Sequence, residues 1–366
     1  MNRRKLLKLI FIISLIYYST TNNAISIEKQ VEEKALFWER LKSNFVQCKL
    51  CPRYCIILPG KRGYCRVREN QNGELFALSY GKPVALHVDP IEKKPFFHFF
   101  PGTTVLSLAT AGCNLHCKFC QNWQISQSSV EELDYQKLTA EEIIRQAKSV
   151  HTPSIAFTYT EPTVFFEYML EIAKKAKEKG FYTCMHSNGY INPEPLRQLA
   201  KYLDAANIDL KGFSEQYYSK ICEGSLAPVL ASLKILKEEG VHLEITNLLI
   251  SGYNDDRKTL RKMCLWIKEQ LGEDTPLHFS RAYPMYKLPG IVPTPVELLE
   301  EAQRIAYECG LKYVYIGNVP GHFGEHTVCP ECKKIIIKRI GYTIKEMHIK
   351  DGRCAFCRCT IHGRWE

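Results

Sequence analysis

The sequence predicts an α/β protein whose centre is a full or partial (β/α) barrel, flanked by cysteine-rich N-terminal and C-terminal modules. Three observations predict this. Apolar runs with strand character recur between residues 104 and 316, helical patterns separate most of them, and cysteines cluster at the start of that stretch and on both sides of it. With 366 residues, 45% hydrophobic and 11% aromatic, the chain can bury a core of enzyme size. Its formal net charge of +10 is spread along the chain rather than gathered in one tract. That weakly favours an acidic partner, but no nucleic-acid reading motif accompanies it, so nucleic acid is not an expected partner.

The first element, residues 1–24, reads as a signal-like or membrane-tether segment. Met1 to Tyr18 joins a basic start to an apolar run of about a dozen residues, short of the roughly 20 that span a bilayer. Arg3 and Arg4, followed by Lys5, Leu6, Leu7 and Lys8, resemble a twin-arginine signal, and Ala24 is the suitably small residue near a cleavage point. Membrane contact is expected only through this segment.

Residues 25–102 form a cysteine-containing N-terminal region. From about Ile25 to Arg40 the pattern is charged and helical, and from Cys48 to Gly102 it is rich in Gly, Pro, Cys and Lys, as in a loop-rich lead-in stapled by metal. Cys48, Cys51, Cys55 and Cys65 offer four thiolates within an 18-residue loop, with Pro52, Gly60 and Gly63 supplying turns. Four soft ligands suit zinc or an iron–sulfur cluster equally. Such spacing in a long chain reads as metal binding rather than as a disulfide framework.

Residues 103–320 carry the barrel. Strands are expected at Thr104–Thr110, Ser154–Tyr159, Phe181–His186, Ala205–Leu210, Val241–Leu249, Leu277–Arg281 and Tyr313–Ile316. Thr139-Ala-Glu-Glu142 is a capping box that opens one intervening helix, and Lys179-Gly180 and Glu239-Gly240 close two others. Alternating strand and helix implies a parallel sheet with its chemistry beyond the strand C-terminal ends.

Just past the first of these strands stands Cys113-Asn-Leu-His-Cys117-Lys-Phe-Cys120. Three thiolates at these gaps can ligate three irons of a cubane and leave the fourth open for chemistry. A zinc site borrowing a distant ligand is the competing reading. Phe119 and Trp123 would shield the cluster from water. Cys184, Cys222, Cys264 and Cys309 read as small buried hydrophobes.

Cys113-x-x-x-Cys117-x-x-Cys120, with an aromatic residue before the last cysteine, resembles the defining motif of the radical S-adenosylmethionine (SAM) superfamily. Over roughly Cys48 to Trp365 the chain is similar to pyruvate formate-lyase activating enzymes, and most closely resembles the radical SAM member of the AmmeMemoRadiSam system. The resemblance implies a [4Fe–4S] cluster whose open iron binds SAM and whose electron cleaves it to methionine and a 5′-deoxyadenosyl radical that abstracts hydrogen. It also implies an electron donor such as a ferredoxin or flavodoxin, and a protein as one candidate substrate. SAM and low-potential electrons are cytoplasmic supplies, so cytoplasmic chemistry is expected despite the N-terminal segment.

Carried over residue by residue, the resemblance implies SAM contacts at Glu161, Asn188, Asp209 and Lys211. Thr158-Tyr-Thr-Glu-Pro162 resembles the segment that holds the SAM amino group, although Thr160-Glu161 stands where other branches carry Gly-Gly-Glu. Glu161 could equally cap a helix N-terminus, and Ser187-Asn188-Gly189 could be a plain turn. Asp209-Leu-Lys211 places opposite charges at a buried strand end, which is costly without partners, so a zwitterionic ligand is the better account. His278 and Arg281 could meet the SAM carboxylate or the substrate, with a satisfied core histidine as the alternative.

Residues 327–366 are a cysteine-rich metal-binding tail. Cys329 and Cys332, then Cys354 and Cys357, come close to zinc-ribbon spacing, with alternation over Ile335–Ile349 reading as a hairpin and Cys359 as a spare or substitute ligand. The functional expectation is a radical SAM enzyme, with a glycyl-radical activase as one alternative. A non-catalytic zinc-binding interaction protein, with zinc in all three cysteine groups, is the alternative of another class. No residue is assigned a catalytic role beyond cofactor binding.

Overall fold

All seven expected strands form, each within about two residues of its expected bounds. The structure is a computed structural model and describes residues 33–365, so the signal-like segment lies outside the described residues. The strands are β2 (Thr104–Ala109), β3 (Ser154–Phe157), β4 (Tyr182–Ser187), β5 (Ala205–Asp209), β6 (His242–Leu249), β7 (Leu277–Arg281) and β8 (Val314–Gly317). They pair in parallel in chain order, and an eighth strand, β1 (Ala85–Pro90), pairs antiparallel with β2 at the edge. β1 and β8 are the two edges and do not pair with each other, so the barrel is partial. β1 was not among the expected strands: it falls in the Gly- and Pro-rich lead-in, where only its pairing with β2 marks it.

One principal helix crosses between each pair of successive parallel strands: α1 (Ala140–Ser149), α2 (Phe166–Glu178), α3 (Pro193–Ala200), α4 (Leu226–Glu238), α5 (Arg257–Leu271) and α6 (Val296–Glu308). The Thr139–Glu142 capping box forms, with Glu142 N donating to Thr139 Oγ1 at 3.3 Å and Thr139 N to Glu142 Oε2 at 2.8 Å. Gly180 and Gly240 end α2 and α4 at φ of 77° and 74°, a conformation that costs a residue with a Cβ. β3 is buried along its whole length, as a parallel strand covered on both faces must be.

Residues 91–100 close the base of the open barrel. Phe96, Phe97, His98 and Phe99 are all buried. Their backbone is anchored on Glu244 of β6, whose carboxylate accepts from Phe97 N at 3.0 Å and His98 N at 2.8 Å, and also pairs with His242 and His278. Burial alone would raise the Glu244 pKa, but the two histidines hold it well below the carboxylate range.

The expected helical stretch at Ile25–Arg40 is a correction for its described part, where short strands run at Glu33–Lys34 and Trp38–Arg40. Tertiary contacts override the local pattern: Leu36 N donates to Glu167 Oε1 at 2.7 Å, and Arg68 donates to Leu36 O at 2.7 Å. The tail hairpin forms as Ile335–Ile340 against Thr343–Met347. Among the described residues no helix is long and apolar enough to cross a membrane.

Candidate radical SAM site

The loop after β2 turns back across the strand ends and is tied at both sides. Gly112 N donates to Ile125 O at 3.0 Å, while His116 N and Lys118 N donate to Cys222 O and Ile221 O at 3.1 and 2.9 Å. This aims Cys113, Cys117 and Cys120 into one cavity of about 480 Å³ at the C-terminal face of the sheet. Glu161, Asn188, Asp209 and Lys211 line the same cavity, each at or just past the end of β3, β4 or β5. The seven residues expected to hold the cluster and SAM therefore line one cavity.

Each sulfur of the triad has a donor. Cys113 Sγ accepts from Leu115 N at 3.4 Å and from Asn188 Nδ2 at 3.7 Å, and Cys120 Sγ lies 3.2 Å from Ser126 Oγ. Cys117 is hydrogen-bonded to the buried thiol of Cys222, which lowers its pKa, with Lys211 acting in the same direction. Of that pair Cys222 keeps the proton, its own pKa raised first by burial. Reading Cys222 as a plain buried hydrophobe missed this, because nothing local in the sequence announces a contact made across the fold. Burial also pushes up Cys113 and Cys120.

Thiol spacing distinguishes the metal centres. A tetrahedral zinc with Zn–S bonds of about 2.3 Å sets its sulfurs roughly 3.8 Å apart. Among the described residues, the groups of ligand atoms all within 4.8 Å of one another comprise Cys329, Cys332, Cys354 and Cys357 of the tail. The central triad shares a cavity without closing to that spacing, which suits the wider corners of a cubane. In the tail, Cys359 is a fifth thiol 3.3 Å from Cys329, and its backbone N–H draws the Cys357 thiol down to about 6.

Glu161 is buried and multiply engaged. It caps the helical turn Pro162–Phe165 through Thr163 N at 2.9 Å, and also accepts from Ser187 Oγ and Asn188 N at 2.8 Å each. The capping reading and the site reading are thus both satisfied by one carboxylate. Asn188 is braced as well, with Oδ1 accepting from Tyr190 N and Nδ2 donating to Asn114 Oδ1 at 2.9 Å. Asp209 pairs with Lys211 at 2.8 Å and with His186 at 2.9 Å, so His186 is a partner that spacing along the chain did not single out.

His278 is a satisfied core histidine, 2.7 Å from Glu244, although its ring also borders the cavity. Arg281 turns away and donates to Thr294 O at 2.8 Å. Sequence reasoning also missed the opposite wall, where Lys93 and Lys94 donate to Asp89 at 2.8 and 2.6 Å and Tyr159 donates to the same carboxylate. Burial brings the Lys94 ammonium down to about 8. Tyr159 is 70 residues from Asp89 in sequence, and the two are brought together by β1 and β3 flanking β2.

A parallel sheet of six crossovers with three cysteines at its first strand exit, facing a cavity ringed by later strand ends, defines an enzyme that works through an iron–sulfur cluster with an open iron. Comparison narrows the class. The chain matches the radical SAM superfamily over residues 107–264. An uncharacterized protein of Methanocaldococcus jannaschii is 48% identical over 326 residues, covering 88% of this chain and 97% of that protein. The chain belongs to the radical SAM superfamily, and as such it is an enzyme that holds a [4Fe–4S] cluster and reductively cleaves SAM. The pyruvate formate-lyase-activating enzyme of Clostridium pasteurianum is 25% identical over 166 residues, covering 43% of this chain and 66% of that enzyme. Among solved structures, a domain of pyruvate-formate lyase-activating enzyme from Bacteroides vulgatus aligns with a TM-score of 0.40 and 17% identity, over 44% of this chain and 98% of that one.

Proposed function

We propose that Cys113, Cys117 and Cys120 hold the [4Fe–4S] cluster, and that Glu161, Asn188, Asp209 and Lys211 hold SAM against it for hydrogen abstraction from a protein substrate. When bound, the cluster supplies the electron that cleaves SAM. The observation that carries the reading is that all seven side chains line a single cavity at successive strand ends.

The residues divide the work by charge. Glu161 has spent three of its acceptor sites on Thr163, Ser187 and Asn188 and keeps one for the SAM ammonium. Lys211 answers the SAM carboxylate, and Asp209, itself steadied by His186, keeps Lys211 charged and aimed. Asn188 fixes Cys113 and retains an acceptor lone pair towards the cavity. Phe119, buried beside Cys117 and Cys120, keeps water from that face.

A protein substrate is favoured by the mouth of the cavity. Gly341 and the half-exposed Tyr342, at the tip of the tail hairpin, border it together with Asn318 and Glu325. The site is therefore edged by the tip of the tail hairpin, a surface that can dock a macromolecule. A glycyl residue on a partner enzyme is the form of substrate that relatives named as putative glycyl-radical enzyme activating enzymes suggest. The test is 5′-deoxyadenosine released under dithionite, followed by deuterium transfer into it from labelled partner protein. Cys113→Ala, Cys117→Ala or Cys120→Ala should each abolish release, and full activity in the triple variant would sink the assignment.

A further inference from the structure

Segments distant in sequence meet on the loop from Cys113 to Cys120, and each brings a cation. Arg53, from the N-terminal cysteine region, donates to Asn114 O at 2.9 Å, and Arg66 lies 3.3 Å from His116 Nε2. Lys118 belongs to the loop itself, and its carbonyl accepts from Lys287 N at 2.9 Å. Glu223 reaches the same loop, but its carboxylate is engaged by Tyr64 OH at 2.5 Å and lies 3.6 Å from His116 Nδ1. Four cations against one engaged carboxylate leave this side of the loop positive.

An aromatic pair stands beside these charges. The connection between β7 and α6 makes a tight turn, closed by Leu288 N donating to Met285 O at 3.0 Å, with Tyr286 and Lys287 at its tip. Tyr286 holds a φ of 51°, uncommon for so bulky a side chain. In that conformation its ring stacks on Trp123, with centroids 5.3 Å apart and planes 14° apart. Trp123 is 37% exposed and opens the helical turn Trp123–Ser126, whose Ser126 Oγ is 3.2 Å from Cys120 Sγ. The exposed pair is therefore joined through one helical turn to a thiol of the triad. Trp123, Tyr286 and Lys287 stand outside the wall of the central cavity, so they are not part of the SAM site.

We propose that Trp123, Tyr286, Lys118 and Lys287 form the docking surface for the electron donor, a small one-electron carrier protein with acidic groups around its redox centre. The proposal rests on the assignment of the cluster to Cys113, Cys117 and Cys120. Charge complementarity selects the occupant, because a cationic patch steers an acidic partner and raises its rate of encounter. Aromatic residues form the centre of such interfaces and charges their rim. Electron-transfer encounters are small and transient, so a patch of a few residues suffices. Electron transfer also weakens steeply with distance, so the carrier must settle where the cluster loop comes to the surface. A protein substrate must instead reach the cavity itself, through the mouth at Gly341 and Tyr342. The carrier gives one electron to the cluster and is oxidised by one; no atom is transferred and no bond is broken.

The measurement is the rate at which the cluster absorption bleaches in full-length protein loaded anaerobically, with two reductants. One is a reduced flavodoxin, as the acidic carrier; the other is photoreduced deazariboflavin, a small molecule that needs no docking surface. Lys118→Glu/Lys287→Glu should slow reduction by flavodoxin about tenfold at low salt and much less at high salt. Lys118→Arg/Lys287→Arg should keep the unaltered rate, and Tyr286→Ala should slow it while leaving its salt dependence in place. With deazariboflavin all these chains should bleach at the unaltered rate. An unchanged flavodoxin rate in the charge-reversed chain, or an equal slowing with both reductants, overturns the proposal. Failure of the cluster assignment looks different, because the Cys113→Ala/Cys117→Ala/Cys120→Ala chain would then keep its full bleachable absorption.

Discussion

Lys211 Nζ lies 2.8 Å from Asp209 Oδ2, and the other oxygen of that carboxylate faces His186 Nε2 at 2.9 Å. Burial would raise the Asp209 pKa, but Lys211 and His186 outweigh it and hold the carboxylate ionised. The charges that looked costly at a strand end therefore neutralise each other while still lining the cavity. Asp209→Asn and Lys211→Met should each weaken SAM binding by about 1–3 kcal/mol with iron content unchanged. Because the two act as a unit, the double variant should lose less than the sum. Equilibrium dialysis of SAM on the loaded protein checks both, and unaltered affinity in both single variants returns the pair to a purely structural role.

Cys332→Ala should cost one zinc per chain and unfold the tail locally, since metal ligation can supply on the order of ten kcal/mol to so short a segment. SAM cleavage uncoupled from substrate should survive, because the triad and the SAM contacts all lie between Cys113 and Lys211. Use of the protein substrate should be lost, as the hairpin tip at Gly341 and Tyr342 edges the cavity. Zinc content, 5′-deoxyadenosine and product are measured on the same sample.

Gly112 has a φ of 95° and no room for a side chain. Gly112→Ala should destabilise the protein by more than about 1 kcal/mol, since it combines backbone strain with a clash against backbone rather than against a yielding side chain. The thermal midpoint is the check. An unchanged midpoint would mean that the Cys65 loop moves aside freely.

His98 is buried and neutral. Its Nδ1–H donates to His362 O, which leaves Nε2 to accept from Tyr315 OH. Burial brings its pKa from an ordinary 6.5 down to about 3. In the unfolded chain the ring protonates below 6.5, and in the folded chain it does not until about 3. The unfolded state thus binds more protons across that window, so this contribution to stability is intact above 6.5 and is lost as pH falls below it, by up to about 1.4 kcal/mol per pH unit. Urea midpoints at neutral and mildly acidic pH should fall apart in the native protein and lie closer together in His98→Asn.

Much of this enzyme was legible along the chain because its signals are local. Strand runs, a capping box and helix-ending glycines depend on neighbours within a few residues, and seven strands and the capping box formed where the sequence put them. The cysteine triad was legible for the same reason, its ligands being spaced to meet at one point. What escaped depends on contacts between distant segments. β1 is a strand because β2 offers it an edge, and the short strands Glu33–Lys34 and Trp38–Arg40 flank a bend whose Leu36 backbone is held by Glu167 and Arg68.

The sequence by itself determined the fold class and the spacing of the cluster motif, because these follow from periodicity and local spacing, and its resemblance to the radical SAM family implied which polar residues at the strand ends would meet SAM. Only the tertiary structure decided who pairs with whom in the cavity: His186 with Asp209, Asn188 with Cys113, Cys222 with Cys117. It likewise decided that the thiols of Cys329, Cys332, Cys354 and Cys357 meet within 4.8 Å of one another. Buried polar groups must find partners wherever the fold brings them, and the identity of a metal centre depends on distances between sulfurs that residue spacing leaves open.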